Sequence, residues 1–433
     1  MAKKKRINPD AIQYSHKQLQ YVRNANRRWN FKIGAVRSGK SFIDIAYIIP
    51  ARIRAVSGKP GLTVFFGVSW GTIERNILQP MREIYTDRLV GYQKSSKQTV
   101  TVFGEEVYCI GVEKSNAVKV IQGMSIKYAY GDEIAKWNKD VFAMIESRLD
   151  KEYSCFDGAC NPEGPNHWFK KWLDNPKLNA YIQPYVIWDN PFLPKNYVRD
   201  LCNEYEGTVY YQRYILGKWA IAEGIVYPHY MDAIQKAPDD AIYDNYVLSI
   251  DYGTENAFAG ILWARNERDR VWYALREYYY SGRTVGVPKT DEEYADDMEI
   301  FVADILDEYD REYTASSRER DLFAARKKLL TIVDPSATSF ITALQNRKKF
   351  KIRKANNDVM DGIRNTAVAM RLGSIKIDPG MKNWIDEASG YSWNGKSADK
   401  GVDEVIKEND HLMDSMRYFV QTMHIVQKAR KNG

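Results

Sequence analysis

Gly34-Ala35-Val36-Arg37-Ser38-Gly39-Lys40-Ser41 fits the pattern G-x-x-x-x-G-K-[ST] at every fixed position. An apolar-leaning run, Trp29-Asn-Phe-Lys-Ile33, ends just before it, and Ser41-Phe-Ile-Asp-Ile-Ala-Tyr-Ile-Ile49 continues with helical periodicity. Strand, glycine loop and helix form the context in which this pattern cradles phosphate. Gly34 and Gly39 let backbone N–H groups converge on phosphate oxygens, with Arg37 and Ser38 between them, and the following helix N-terminus adds a positive dipole end. Lys40 then reaches the β- and γ-phosphates, and Ser41 holds Mg²⁺. The stretch predicts an ATP site on an α/β domain with a parallel sheet flanked by helices.

Working backwards, His16-Lys-Gln18-Leu-Gln20-Tyr-Val-Arg predicts a helix some twenty residues upstream. A glutamine amide offers both a donor and an acceptor and can read adenine. Gln18 and Gln20 are both candidates. Residues before this helix form a basic arm (Met1-Ala-Lys-Lys-Lys-Arg-Ile) without the apolar segment of a signal peptide.

Working forwards, Gly61-Leu-Thr-Val-Phe-Phe-Gly-Val68 reads as a buried strand, and Thr99–Phe103 with Val107–Ile110 as a hairpin about Gly104. Ile126-Lys-Tyr-Ala-Tyr130 is a further strand, ending at Gly131-Asp132-Glu133. Asp132 there suits the Mg²⁺ shell and Glu133 suits a water-polarising base. Two arginines are candidates for stabilising charge on the γ-phosphoryl group, Arg37 in the loop and Arg148 beyond the acid pair. Cys155–Cys160 reads as a strand whose end places Asn161 where the γ-phosphate can be sensed. His167 has no partner at metal-ligand spacing and reads as structural. Residues 170–222 read as helical and connecting.

The length of 433 residues implies two or three domains. Composition shifts over 223–245, giving a first domain at 1–222, a linker at 223–245 and a second domain at 246–433. Net charge is +7, compatible with a polyanionic partner. No apolar run reaches the length of a membrane span, so no membrane partner is expected, and four cysteines without zinc spacing suggest a reducing cytoplasm.

The second half opens with Tyr246-Val-Leu-Ser-Ile250, ending in Asp251. Ala257–Trp263 and Arg270–Tyr280 continue as an antiparallel meander, and an acidic helix follows at about 290–310. Leu329-Leu-Thr-Ile-Val333 is another strand, ending in Asp334. The last helix carries His411 and Asp414, three apart and so on one face. Carboxylates gathered at one sheet rim can hold two hard cations that activate water against a phosphodiester. That order of elements is the order of an RNase H-like nuclease. A basic strip, Arg347 to Lys354, offers a surface for phosphate contacts.

GAVRSGKS, YAYGDE, CNPEGPNHW, SIDYGT, VDPSAT and HLMDSMRY together resemble, in order, the large terminase subunit of tailed double-stranded DNA bacteriophages and prophages. The resemblance runs from about residue 15 to 425. It implies an N-terminal P-loop ATPase that translocates double-stranded DNA into a procapsid, and a C-terminal RNase H-like endonuclease that cuts the concatemer. Carried over, Lys40 and Ser41 bind nucleotide and Mg²⁺, Asp132 and Glu133 are the metal-shell acid and hydrolytic base, and Asn161 lies in the segment coupling hydrolysis to movement. Arg37 falls at the family's loop arginine. Asp251, Asp334 and Asp414 match the nuclease acids that bind Mg²⁺ or Mn²⁺, with His411 beside them. The implied partners are the small terminase subunit and the portal protein, with self-assembly into a ring on the portal. The implied location is the host cytoplasm and not the mature virion. Two other readings remain, a repair helicase-nuclease and an ATP-regulated DNA-binding scaffold. The first lacks a second RecA-like domain in the sequence.

Overall fold

A computed structural model describes residues 11–93, 98–253, 257–318 and 327–426. The basic arm lies outside the described residues. Among them, no helix is long and apolar enough to cross a membrane. The chain forms two compact units: the first is Met1–Ala222 with Gly395–Asp403, the second Glu223–Asn394 with Glu404–Gly433.

The first unit is built on a seven-stranded sheet: β1 (Trp29–Gly34), β2 (Leu62–Gly67), β3 (Thr99–Val102), β4 (Glu105–Gly111), β5 (Ile126–Asp132), β6 (Cys155–Cys160) and β7 (Ala180–Tyr185). Their order is β3-β4-β2-β5-β6-β1-β7, all parallel except β3. Strands covered on both faces must be apolar along their length. β1 is buried throughout, and Trp29 and Phe31 pack with Phe142, Phe156 and Trp172 on one face. Ile49, Ile53, Phe65 and Tyr130 belong to a second buried cluster in this unit. Lys32 breaks the apolar pattern of β1. Its fully buried ammonium pairs with Asp44 at 2.6 Å and lies 3.6 Å from the centre of the Tyr21 ring.

The helix after the loop is not a regular α-helix. It runs Lys40–Ile43, then a π turn Asp44–Ile48, then Ile49–Val56. Pro50 explains this, because it has no N–H for the Ala46 carbonyl. That carbonyl accepts instead from the hydroxyls of Tyr85 (2.5 Å) and Tyr14 (3.4 Å). The helix after β2 repeats the device, with a π turn at Glu74–Leu78 ahead of Pro80.

Two elements depart from the sequence reading. Residues 170–222, expected as helical, include the edge strand β7. Pro184 disguises it, and an edge position tolerates a residue without a donor. Residues 223–245, expected as a linker, pack within the second unit. Val226, Tyr227 and Ala233 are buried, and Ile225 and Ile234 make single bridges to Ser392 and Ile377.

The second unit holds β8 (Tyr243–Asp251), β9 (Phe258–Asn266), β10 (Trp272–Tyr280), β11 (Leu329–Val333), β12 (Phe350–Lys354) and β13 (Ile375–Ile377) in the order β12-β11-β8-β9-β10-β13. β8, β9 and β10 are the antiparallel meander, while β11 and β12 run parallel to β8. The acidic helix is broken at Val302 into Asp291–Phe301 and Ala303–Arg318. The terminal helix His411–Thr422 crosses the sheet, stacking Phe419 on Trp263 and hydrogen-bonding Ser415 to Ser249.

Candidate active sites

In the first unit, β1 ends against β7. A Cβ on Gly34 would lie 1.9 Å from the Tyr185 carbonyl oxygen, so only glycine fits there. Ala35 N–H donates to that same carbonyl at 2.8 Å. Arg37 (φ +56°) and Gly39 (φ +84°) both take left-handed backbone. For Arg37 this is a strained conformation of the kind found at functional loops. Asn190 steadies it by donating to the Arg37 carbonyl at 2.7 Å, and the Ser38 hydroxyl donates to Ala35 O at 2.8 Å.

Lys40 is buried and donates to Ala35 O (2.9 Å) and to Asn161 Oδ1 (2.5 Å). β6 lies between β1 and β5, which brings Asn161, just past its end, to the loop. Burial pushes Lys40 down to about 8, against the opposing charges of Cys160, Asp132 and Glu133. Asp132 ends β5; burial pushes it up to about 6, while Asn76 donates to its Oδ2 at 3.0 Å. Asn76 sits on the second π turn and was not legible in the sequence. Glu133 has φ +54° and a half-exposed side chain 3.9 Å from Lys136. Ser41 hydroxyl and Asp132 carboxylate are oxygen donors of the kind Mg²⁺ takes.

A cleft of about 700 Å³ adjoins the loop and is lined by Ile12, Gln13, Gln18, Arg37, Ser41 and Phe192, among others. The glutamines differ from expectation. Gln18 is buried, with Oε1 accepting from Ser15 N (2.8 Å) and Nε2 donating to Gly39 O (2.8 Å). Its carboxamide caps the helix His16–Asn24 and ties that helix to the loop. Gln20 is exposed and outside the cleft lining, whereas Gln13 is exposed within it. Arg148 is also displaced from the loop. The helix Lys139–Arg148 leads away from the Asp132 end, and the Leu149 carbonyl accepts from Arg28, which precedes the start of β1. Arg148 therefore lies toward the N-terminal ends of the strands, opposite the end that carries Asp132, its Nε donating to Ser147. Arg37 is the candidate arginine that lines the cleft. His167 caps the helix Trp168–Leu173, accepting from Phe169 N at 3.2 Å, and burial pushes it down to about 4.

In the second unit, β8 and β11 pair in parallel with Val333 opposite Ile250, so the next residues, Asp334 and Asp251, emerge side by side. His411 Nδ1 is 2.9 Å from Asp251 Oδ2. Burial opposes a charge on His411, but Asp251 and the nearby Glu387 and Asp410 outweigh it and hold the imidazole above its ordinary value. Burial raises Asp251, assisted by Asp414 and opposed by His411. Asp334 is held low despite burial by donors from Ser336 (N 2.7 Å, Oγ 2.5 Å) and Tyr418 (2.9 Å). Burial, then the charges of Asp251, Asp414 and Asp334, raise the Tyr418 hydroxyl, so one phenol senses all three acids. Asp414 is engaged by Arg417 Nη2 (2.9 Å) on Oδ1 and by Lys407 Nζ (3.1 Å) on Oδ2.

As placed, no three His, Cys, Asp or Glu side chains among the described residues converge into a cation shell. The carboxylate set still suits hard cations. Lys407, 54 % exposed, supplies positive charge at Asp414 that an incoming cation would replace. Arg417 and Tyr418 lie three and four residues beyond Asp414 on its helix face, a spacing visible in the sequence; Lys407 had no such signal. The basic strip is partly spent: Arg347 pairs with Glu292 and Asp296, and Lys349 contacts Glu299. Lys351 and Lys354 remain exposed on β12.

Residues 34–231 match the family model described as terminase large subunit, T4likevirus-type, N-terminal. No curated protein matches the chain. Among solved structures, the large terminase from a thermophilic bacteriophage is 31 % identical, with TM-score 0.81 over 95 % of this chain and 100 % of that one. The same thermophilic-phage protein in complex with ADP matches at 30 % identity and TM-score 0.80, over 95 % and 100 % of the two chains. Its complex with ATP-gamma-S matches at 30 % and 0.78, over 94 % and 98 %. With two sheets in the expected order and a relative of this identity covered along its whole length, the chain belongs to the bacteriophage large terminase family.

Proposed function

We propose that this terminase subunit hydrolyses ATP at the β1 loop to drive double-stranded DNA into a procapsid, and cuts the DNA with the acids of its second unit. The observation that carries the reading is the 2.5 Å contact of Lys40 with Asn161. It joins the phosphate-binding cation to the end of a neighbouring strand, so a change at the phosphate is transmitted to the residues after Asn161. The nucleotide complexes of the thermophilic-phage relative support ATP as the ligand.

In this reading Lys40 retains one N–H beyond its bonds to Ala35 and Asn161, directed to phosphate. Arg37 adds charge at the cleft and Glu133 orients the attacking water. Gln13, rather than Gln18 or Gln20, presents a carboxamide to the base, beside Phe192. Ser41 and Asp132 hold Mg²⁺. Asp251, Asp334 and Asp414, with His411, hold Mg²⁺ or Mn²⁺, which would supply charge stabilisation and an activated water at a phosphodiester. Of this chain's own groups, His411 orients Asp251, Tyr418 orients Asp334 and Arg417 fixes Asp414. The partners are double-stranded DNA, the small terminase subunit, the portal protein and further copies in a ring, in the host cytoplasm.

Plasmid cleavage by wild type and Asp334→Ala, with Mn²⁺, Mg²⁺ or chelator, tests the nuclease; phosphate release by Lys40→Ala tests the motor. Metal-dependent cutting lost in Asp334→Ala is expected. Absence of cutting by folded wild type in both metals would leave a nucleotide-gated DNA-binding protein.

A further inference from the structure

Two helices near the second unit's acids begin without a side-chain cap of their own. The helix Lys382–Gly390 has Met381 at its N-cap position, and His411–Thr422 has Asp410, whose side chain makes no capping bond. Asp410 is a residue type that usually caps, but its carboxylate faces Lys407 at 3.1 Å. In both cases a glutamate from another element takes over. Glu277 on β10 accepts from Asn383 N and Trp384 N, each at 2.9 Å. Glu387, on the helix thus anchored, accepts through Oε2 from Leu412 N (2.7 Å) and Met413 N (3.3 Å). Glu387 is only 5 % exposed, so these bonds do not exchange freely with water.

The first turn held in this way carries His411 and Asp414 on either side of the two capped amides. Its position along the sheet decides whether His411 reaches Asp251 and whether Asp414 faces the same rim as Asp334. We infer that Glu387 is a positioning residue that sets His411 and Asp414 for divalent-cation binding, with Glu277 fixing the helix from which Glu387 reaches. This inference rests on the nuclease reading. The chain of contacts runs from β10 through two helix N-termini to the acids, and every link is a carboxyl oxygen accepting from backbone N–H groups.

The test is calorimetric titration of MnCl₂ into the full chain carrying Asp132→Asn, so that the second unit reports the binding. Glu387→Ala is expected to weaken Mn²⁺ binding about tenfold, the size of effect that follows loss of groups orienting metal ligands. Glu387→Gln keeps an acceptor oxygen at the same reach and is expected to bind within about threefold of its parent, since a neutral amide oxygen still caps. Glu387→Asp keeps the carboxyl group but falls one methylene short, and is expected to resemble Glu387→Ala. This variant decides the matter if Glu387→Ala fails to fold. Parent-like binding by Glu387→Ala or Glu387→Asp, or failure of Glu387→Gln to restore binding, overturns the inference. Should the parent bind no Mn²⁺, the nuclease reading fails. Hydrogen exchange at Leu412 and Met413 then judges the cap by itself: faster exchange in Glu387→Ala upholds it, and unchanged protection overturns it.

Discussion

Removing the carboxylate of Asp44 while leaving Lys32 in place should be among the most damaging changes in the first unit. Both side chains are fully buried, and their 2.6 Å contact is the only ion pair either makes among the described residues. At an effective dielectric constant near 20, two unit charges at that distance attract by about 6 kcal/mol. Much of this offsets the cost of burying both, so the pair itself contributes little net stability. Asp44→Asn removes the counter-charge without changing the volume and leaves the ammonium desolvated, at a cost of about 3–5 kcal/mol. Proton loss from Lys32 caps the cost. Taking it from its ordinary 10.5 to neutrality at pH 7 costs about 5 kcal/mol, at about 1.4 per unit. The sign with pH follows. In Asp44→Asn the folded state binds fewer protons than the unfolded one, so stability rises as pH rises toward the unfolded Lys value and falls below it. The Tyr21 ring offers only cation–π compensation. The double variant Lys32→Met/Asp44→Asn should recover most of the loss and show none of this pH dependence. Urea unfolding at pH 7 and pH 9, followed by hydrogen exchange of the β1 peptide, measures all three proteins. A single variant as stable as the double one, or equally unstable at both pH values, would refute the reasoning.

Three further outcomes are expected. The pH profile of kcat/KM for ATP hydrolysis should be bell-shaped, with limbs near 6 and 8. Asp132 loses its charge as pH falls through about 6 and Lys40 loses its own as pH rises through about 8; a flat profile from 5 to 9 would contradict this. Asn161→Ala should lower kcat by about a hundredfold while nucleotide affinity, read with a fluorescent analogue, changes little; the reverse split would remove Asn161 from the hydrolytic step. Lys351→Ala and Lys354→Ala should each weaken DNA binding and reduce the salt slope by about one, whereas Arg347→Ala, already paired with Glu292 and Asp296, should leave the slope unchanged.

What the sequence disclosed was governed by local patterns. The loop at Gly34–Ser41 and the acids at strand ends, Asp132, Asp251 and Asp334, were legible because residue type and position at a sheet rim suffice to place them. Groups that act across the fold were not. Asn76, Lys407 and Glu387 reach their acids or amides from segments with no spacing relation to them. Gln18 has the right residue type near the loop, yet its amide serves the capping box with Ser15, a competition that only packing decides. Arg148 is near Asp132 in sequence, but the helix between carries it to the opposite end of the strands. β7 was hidden by Pro184, and Lys32 makes β1 look less buried than it is. Residues 223–245 carried turn signals that outweighed a few apolar side chains in the reading.

The nine residues Gly395–Asp403 belong to the first unit although the chain on both sides belongs to the second. The excursion leaves and returns through adjacent strands of chain, Asn394 N donating to Glu404 O and Trp393 bridging Val405. Its C-terminal end is fastened by the buried Arg213, which bonds Asp403 Oδ1 at 3.0 Å and Glu163 Oε2 at 3.0 Å. Glu163 lies two residues beyond Asn161. No single scission therefore divides this protein into its natural halves. A fragment ending at Ala222 would strand the Arg213 guanidinium without Asp403, and a fragment starting at Glu223 would carry a loop stripped of its seat. Biochemists dissecting the motor from the nuclease will obtain faithful halves only by excising the loop from one gene fragment and grafting it onto the other.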